Sequence, residues 1–182
     1  MSKVYVASSW REERYPEVVE ALRKAGHEVY DFRNPPAGTS FSWSDIDSNW
    51  LDWPPSDFRD ALKHPIADRG FASDMNALKR CDACVHVVPS TAGRSSHLEL
   101  GWAVGAGKLT IVLLGQGEPE LMYKMADRIC LTIDEVVVAL DEDGARKLTR
   151  AYVCPDCAET FENCECELRW DPWAVGKMKG ER

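Results

Sequence analysis

Nowhere does the 182-residue chain hold the roughly 18 consecutive apolar residues that a membrane-spanning helix needs, which excludes a transmembrane reading. The amino-terminal "MSKVYVASSW" has no basic leader ahead of a long hydrophobic region, so a cytoplasmic protein is expected. Positive charge is scarce as well: 22 Lys and Arg against 30 Asp and Glu leave a formal net charge of -8. That balance argues against a duplex nucleic-acid surface, which needs clustered cations to neutralise phosphates. A small-molecule ligand fits better. Internal repeats and low-complexity tracts are also missing, and so is an even cysteine framework. The seven cysteines are unevenly spaced and read as reduced thiols or metal ligands.

What is present is an ordered globule, 45% hydrophobic and 29% charged, of a length that suits one main domain with a small appendage. Residues 3–8, "KVYVAS", read as a buried strand. An amphipathic helix within "EERYPEVVEALRKAGHEVYDF" follows, then a stop at Gly26 and a second strand. "ACVHVV" at 83–88 and "LTIVLL" at 109–114 have the continuous hydrophobic character of strands covered on both faces. Helical stretches at 66–80 and 96–107 precede or separate them, and the helix-like "EPELMYKMA" leads on to "RICLTI" and "DEVVVALDEDG". This alternation predicts a parallel sheet sandwiched by helices. The irregular "RNPPAGTSFSWSDIDSNWLDWPPSD" interrupts it with Phe41, Trp43, Trp50 and Trp53. These are either a cover packed on the domain or an aromatic wall for a planar ligand.

After about residue 145 the composition changes, so we divide the chain into a main α/β domain, 1–145, and a Cys-rich tail, 146–182. The tail's Cys154, Cys157, Cys164 and Cys166 could close a structural zinc site, or be free thiols. Cys81 and Cys84 flank a buried strand and read as core.

In "SSHLELGWAVGAGK", residues 95–108, Ser96 and Glu99 fit a capping box, with serine capping the helix and glutamate reaching back to it. A carboxylate there sits in the positive potential of a helix start, which favours its ionised form at the edge where open α/β sheets bind ligands. Asp74, after Ser73, suits a helix start for capping reasons. Tyr5 suits a core aromatic with a satisfied hydroxyl.

Together, "KVYVASSW", "FASDMNALKRCDACVHVVPS" and "SSHLELGWAVGAGK" resemble the nucleoside 2-deoxyribosyltransferase family and the related deoxynucleoside monophosphate N-glycosidases, over about residues 3–140. The resemblance implies a flavodoxin-like, five-stranded parallel sheet with helices on both faces. It also implies a homo-oligomer, dimer or higher, whose sites a neighbouring subunit completes, and no cofactor for catalysis. Carried over, it implies Glu99 as nucleophile, Asp74 as the acid beside the base and Tyr5 as the hydroxyl that orients Glu99. The chemistry suits these groups. Cleaving an N-glycosidic bond builds positive charge on the anomeric carbon, which a carboxylate can stabilise or capture, while a second acid protonates the departing base.

The loops depart from the transferase pattern. "STAGRSSHLE" lacks the further carboxylate that transferases place before the nucleophile. Its Ser90, Arg94, Ser95 and Ser96, with Ser8, Ser9 and Trp10 of "ASSWRE", instead look like the phosphate-binding loops of the monophosphate-cleaving relatives. In "PELM", Glu120 replaces an amide in the segment, with Met122, that resembles the one reaching a neighbour's sugar, and a carboxylate beside a phosphate would repel it. The expected function is N-glycosidic bond cleavage or transfer on a nucleoside or its 5'-monophosphate. A glycohydrolase cleaving NAD and a non-catalytic nucleotide-binding module are the alternatives. His86 reads as a core or edge histidine, and His97 has no identifiable partner.

Overall fold

The computed structural model describes residues 1–90, 93–116 and 119–149. The four tail cysteines proposed to hold zinc lie outside these residues. Strand β1, Lys3–Ala7, leads through a loop into helix α1, Tyr15–Lys24. Helix α1 buries Tyr15, Val18, Val19 and Leu22, the spacing of one helical face. Gly26, at φ +87°, then turns the chain in a backbone conformation that only glycine adopts freely. Strand β2, Glu28–Tyr30, follows.

Further along come α2 (Pro55–Ala61), α3 (Pro65–Arg80), β3 (Ala83–Val87), α4 (Arg94–Gly105), β4 (Leu109–Leu113), β5 (Arg128–Cys130) and α5 (Ile133–Thr149). The strands form one sheet in the order β2-β1-β3-β4-β5. Every neighbouring pair is parallel. This is the flavodoxin-like order expected, with its topological switch between β1 and β3. On one face Val4, Val6, Val85 and Ile111 pack with residues of α1 and α5. On the other, Tyr5, Ala7 and Cys84 pack with Ala77 and Leu78 of α3 and Ala103 of α4. Continuous apolar strands were the right signal, since both faces are covered. Among the described residues, no helix is long and apolar enough to cross a membrane.

Three local differences have physical causes. The stretch expected to be irregular contains two single 3-10 turns, Trp43–Asp45 and Trp50–Asp52, and the short helix α2, whose proline at the first position and Asp57 in the first turn favour a helix start. The segment "LMYKM" is a five-residue 3-10 helix rather than an α-helix, closed at its start by the Glu120 carboxylate on the Met122 N–H. A capping pair does form at α5, where the Thr132 hydroxyl accepts from the Glu135 N–H and the Glu135 carboxylate accepts from the Leu131 N–H.

Phe41, Trp43 and Trp53 of the long connection turn on one another. Trp43 meets Phe41 at 4.7 Å, Phe58 at 5.5 Å and Trp53 at 5.8 Å between ring centroids. Phe41 anchors the group on α3, because a Cβ built at Gly70 would lie 2.6 Å from the Phe41 Cβ. Of the two readings, the packed cover describes these rings. Gly70→Ala should therefore destabilise the cover by about 1–3 kcal/mol, as overpacking does, despite alanine's better helix propensity. Tryptophan fluorescence and the melting temperature check this; an unchanged spectrum with a raised Tm would show that Phe41 yields freely.

Candidate active site

Helix α4 begins at Arg94, with Gly93 as its N-cap residue and no side-chain cap. The capping box expected between Ser96 and Glu99 does not form. The reason is tertiary: a Cβ on Gly93 would lie 2.5 Å from Pro89 Cγ and 3.2 Å from Ser9 Cβ, so this glycine lets the loop close tightly and the helix start early. Ser96 is thereby inside the first turn. Its hydroxyl donates to the Gly93 carbonyl at 2.7 Å and lies 3.0 Å from His86 Nε2. As the serine hydrogen is already committed, His86 must donate from Nε2. His86 Nδ1, buried, finds no hydrogen-bond partner among the described residues. Burial, then the nearby His97, push the His86 pKa down to about 3, so the ring is neutral in ordinary solution. His97 does have a partner: its Nε2 lies 3.0 Å from the Tyr123 hydroxyl, and its Nδ1 lies 3.2 Å from the Gly93 carbonyl.

Released from the cap, Glu99 sits half-buried in the second turn of α4. Asp74 is likewise half-buried, and it lies in the middle of α3 rather than at a helix start. Capping therefore accounts for neither carboxylate. Beneath them run Tyr30, Tyr5 and Cys84, register partners across β2, β1 and β3. The Tyr5 and Tyr30 rings stack at 5.5 Å with an interplanar angle of 13°. The Tyr5 hydroxyl favours the ionised form of Glu99. The Tyr30 hydroxyl donates to Asp74 Oδ1 at 2.8 Å and lies 2.9 Å from Ser73 Oγ. Tyr30 was not foreseen. Only the register that sets it beside Tyr5 distinguishes it, and that is a property of strand pairing.

Burial comes first among the causes that push the Glu99 pKa up from 4.5 to about 7, followed by the Asp74 charge; the Tyr5 hydroxyl pulls the other way. Glu99 is thus not held ionised by a helix start, as the capping argument expected. Burial also raises Asp74, against the opposing hydrogen bond from Tyr30. Tyr5 is driven far above its ordinary range by burial and by both carboxylates. Tyr30 rises to about 12, again mainly through burial. Burial and the Asp74 charge let Glu99 take up a proton near neutrality, so a protonated and an ionised carboxyl can stand near each other, one as acid and one as anion.

The structure thus brings Glu99, Asp74 and Tyr5 together. The loop residues lie around the carboxyl ends of the strands. Ser8 is buried, its hydroxyl donating to the Val87 carbonyl at 2.9 Å, and Ser9, also buried, accepts from the Arg11 N–H at 3.2 Å. The Ser90 N–H donates to Glu12 at 2.9 Å. Of the expected phosphate-binding side chains, Ser8 and Ser96 therefore have their hydroxyls committed inside. Arg94 and Ser95 are exposed on the first turn of α4. Trp10 is exposed, its ring against Phe32 at 5.4 Å. Glu120 and Met122 are also exposed.

Sequence reasoning missed Glu12. It is buried, pairs with Arg14 at 2.8 Å, and holds its carboxyl below the usual range; burial opposes this, but hydrogen bonds from Arg14 and Ser90 outweigh it. Arg14 in turn donates to the carbonyls of Val88 and Leu114, both at 2.9 Å, which ties three strand-end loops together. Among the described residues no group of three or more His, Cys, Asp or Glu side chains could hold a metal ion.

No protein-family model and no curated protein matches the chain. Its fold does match solved structures. A 2-deoxyribosyltransferase from the psychrotolerant bacterium Bacillus psychrosaccharolyticus, described as a biocatalyst for nucleoside synthesis, aligns with a TM-score of 0.53 and 16% identity, over 74% of this chain and 89% of that one. A CMP N-glycosidase from Clostridium botulinum aligns with a TM-score of 0.42 and 18% identity, over 76% of this chain and 99% of that one. At such identities the first likeness is one of fold, and it agrees with the fold that the sequence resemblance implied.

Proposed function

We propose that this chain cleaves or transfers the N-glycosidic bond of a nucleoside or its 5'-monophosphate, with Glu99 as nucleophile and Asp74 as the acid that serves the base. One observation carries the reading. Two half-buried carboxylates that no helix end explains lie near enough for the Asp74 charge to raise the Glu99 pKa; Asp74 is bonded to the Tyr30 hydroxyl and Glu99 is influenced by the Tyr5 hydroxyl, both from the sheet. Holding a carboxyl half out of water and beside a second one destabilises the resting protein, and such arrangements concentrate at catalytic sites.

In the attacking state the shared proton sits on Asp74 and Glu99 is ionised. A Glu99 oxygen bonds to C1' of the sugar as the C1'–N bond breaks. The electron pair passes to the base nitrogen, and the base takes the Asp74 proton. Water then attacks C1' and displaces Glu99, giving its proton to the Asp74 carboxylate. If the N–H of a second base attacks instead, the same steps produce an exchanged nucleoside. Tyr5 keeps the Glu99 carboxylate oriented in both halves.

The test is incubation with deoxynucleosides, nucleosides, their monophosphates and NAD, with and without a second base, followed by chromatography. We expect free base, or a new nucleoside, from the nucleoside or monophosphate arm. Nicotinamide release confined to the NAD arm would replace this reading with the glycohydrolase one, and binding without any turnover would leave a nucleotide-binding module.

A further inference from the structure

The geometry beside Asp74 points to a role for Tyr30. An ionised carboxylate can only accept, so the Tyr30 hydroxyl donates to Asp74 Oδ1 across 2.8 Å. Its hydrogen being used, the Ser73 hydroxyl 2.9 Å away must donate to the phenol oxygen, which makes Tyr30 a better donor still. Tyr30 also cannot swing away, because its ring is stacked on Tyr5 from the next strand. Each carboxylate therefore has one tyrosine, and the two tyrosines are fixed to each other.

We propose that Tyr30 is a positioning residue: it fixes the orientation of Asp74 and, by favouring the ionised form of that carboxylate, makes Glu99 the first of the pair to take up a proton. The groups facing the pair come from every neighbouring element: Tyr5 on β1, Tyr30 on β2, Ser73 beside Asp74 on α3, the Cys84 thiol on β3 and Glu99 on α4. Of these, Tyr30 is the group whose hydrogen bond opposes the burial of Asp74. The consequence for catalysis rests on the function proposed above, whereas the proton order itself does not. In the resting protein Tyr30 holds the proton on Glu99, and moving it to Asp74 is a step that the approach of substrate must bring about.

The experiment is a titration of the Asp74 and Glu99 carboxyl carbons by NMR on the full chain, in the parent and in Tyr30→Phe, which keeps the stacked ring and removes the hydroxyl. In the variant Asp74 should titrate at higher pH. Glu99 should then titrate at lower pH, because its neighbour is less often charged. Ser73→Ala should move both in the same directions by less, and it serves if Tyr30→Phe does not fold. In the activity assay both sides of the pH profile should move to higher pH in Tyr30→Phe, because the pair holds its protons more tightly once Asp74 loses its donor, a displacement that general loosening of the fold does not produce. Unchanged titrations of both carboxyls in a folded variant would overturn the proposal. A parent protein with no base release removes the catalytic reading alone, since the titrations decide the proton order without substrate.

Discussion

Glu99→Gln should lose base release by ~10^3-fold or more, the scale on which deleting a nucleophile acts, while the variant folds more stably than the parent at pH 8. The two effects share a cause. In the folded protein the carboxyl ionises at about 7, against an ordinary value of 4.5. At ~1.4 kcal/mol for each pH unit, keeping it charged in place at pH 8 costs about 3 kcal/mol.

The sign follows from proton binding. Between 4.5 and about 7 the folded state holds more protons on Glu99 than the unfolded state, so the parent loses stability as pH rises through that window and stays at the lower level above it. Below 4.5 both states are protonated and the cost vanishes. Chemical denaturation of parent and variant should therefore show a gap that opens between pH 4 and pH 8. An equal gap at both ends would mean that the glutamine changes packing rather than charge, and undiminished base release would remove Glu99 from the chemistry.

Asp74→Asn should lower the rate by ~10^2 to 10^4-fold, because an amide cannot give the departing base a proton. It should also move Glu99. With the neighbouring negative charge gone, ionised Glu99 is less costly, so its titration falls below about 7 although burial still holds it above its ordinary value. Residual activity should then lose the fall on the alkaline side that deprotonation of Asp74 gives the parent. The pH dependence of base release, with carboxyl NMR on the same sample, measures both. If Glu99 still titrated at about 7 in the asparagine variant, the two carboxyls would not be sharing a proton.

How much of this was legible beforehand depended on whether a feature is local. Strands β3 and β4 could be read because five consecutive buried residues leave a continuous apolar run, and α1 because its apolar face recurs at helical spacing. The start of α4 could not. Ser96 and Glu99 have the spacing of a capping box, but the helix begins where Gly93 packs against Pro89 and Ser9, a contact between loops distant in the chain. Glu12 reads as one more acid in a charged stretch, and only its bond to Ser90, 78 residues away, makes it a buried anchor. Of the site residues, Glu99 and Asp74 were reached through the resemblance. Their two hydroxyl partners differ in this respect: Tyr5 lies in a quoted motif, whereas Tyr30 ends a three-residue strand that carries no chemical signature of its own.

The pairing of Tyr5 with Tyr30 makes the sheet a measuring device for the site. Neighbouring strands lie ~4.8 Å apart whatever their sequence, so the gap between the two phenols is a constant of backbone hydrogen bonding. Exchanging outward residues of helices α3 and α4 leaves it unaltered. Sliding β2 along β1 by a single residue would, by contrast, turn Tyr30 to the opposite face, among the residues of α1 and α5, and leave Asp74 with no donor from below. The spacing of the two phenols beneath the carboxylates is thus gauged by strand alignment, and the least conspicuous element of the fold, a strand of three residues, sets its scale.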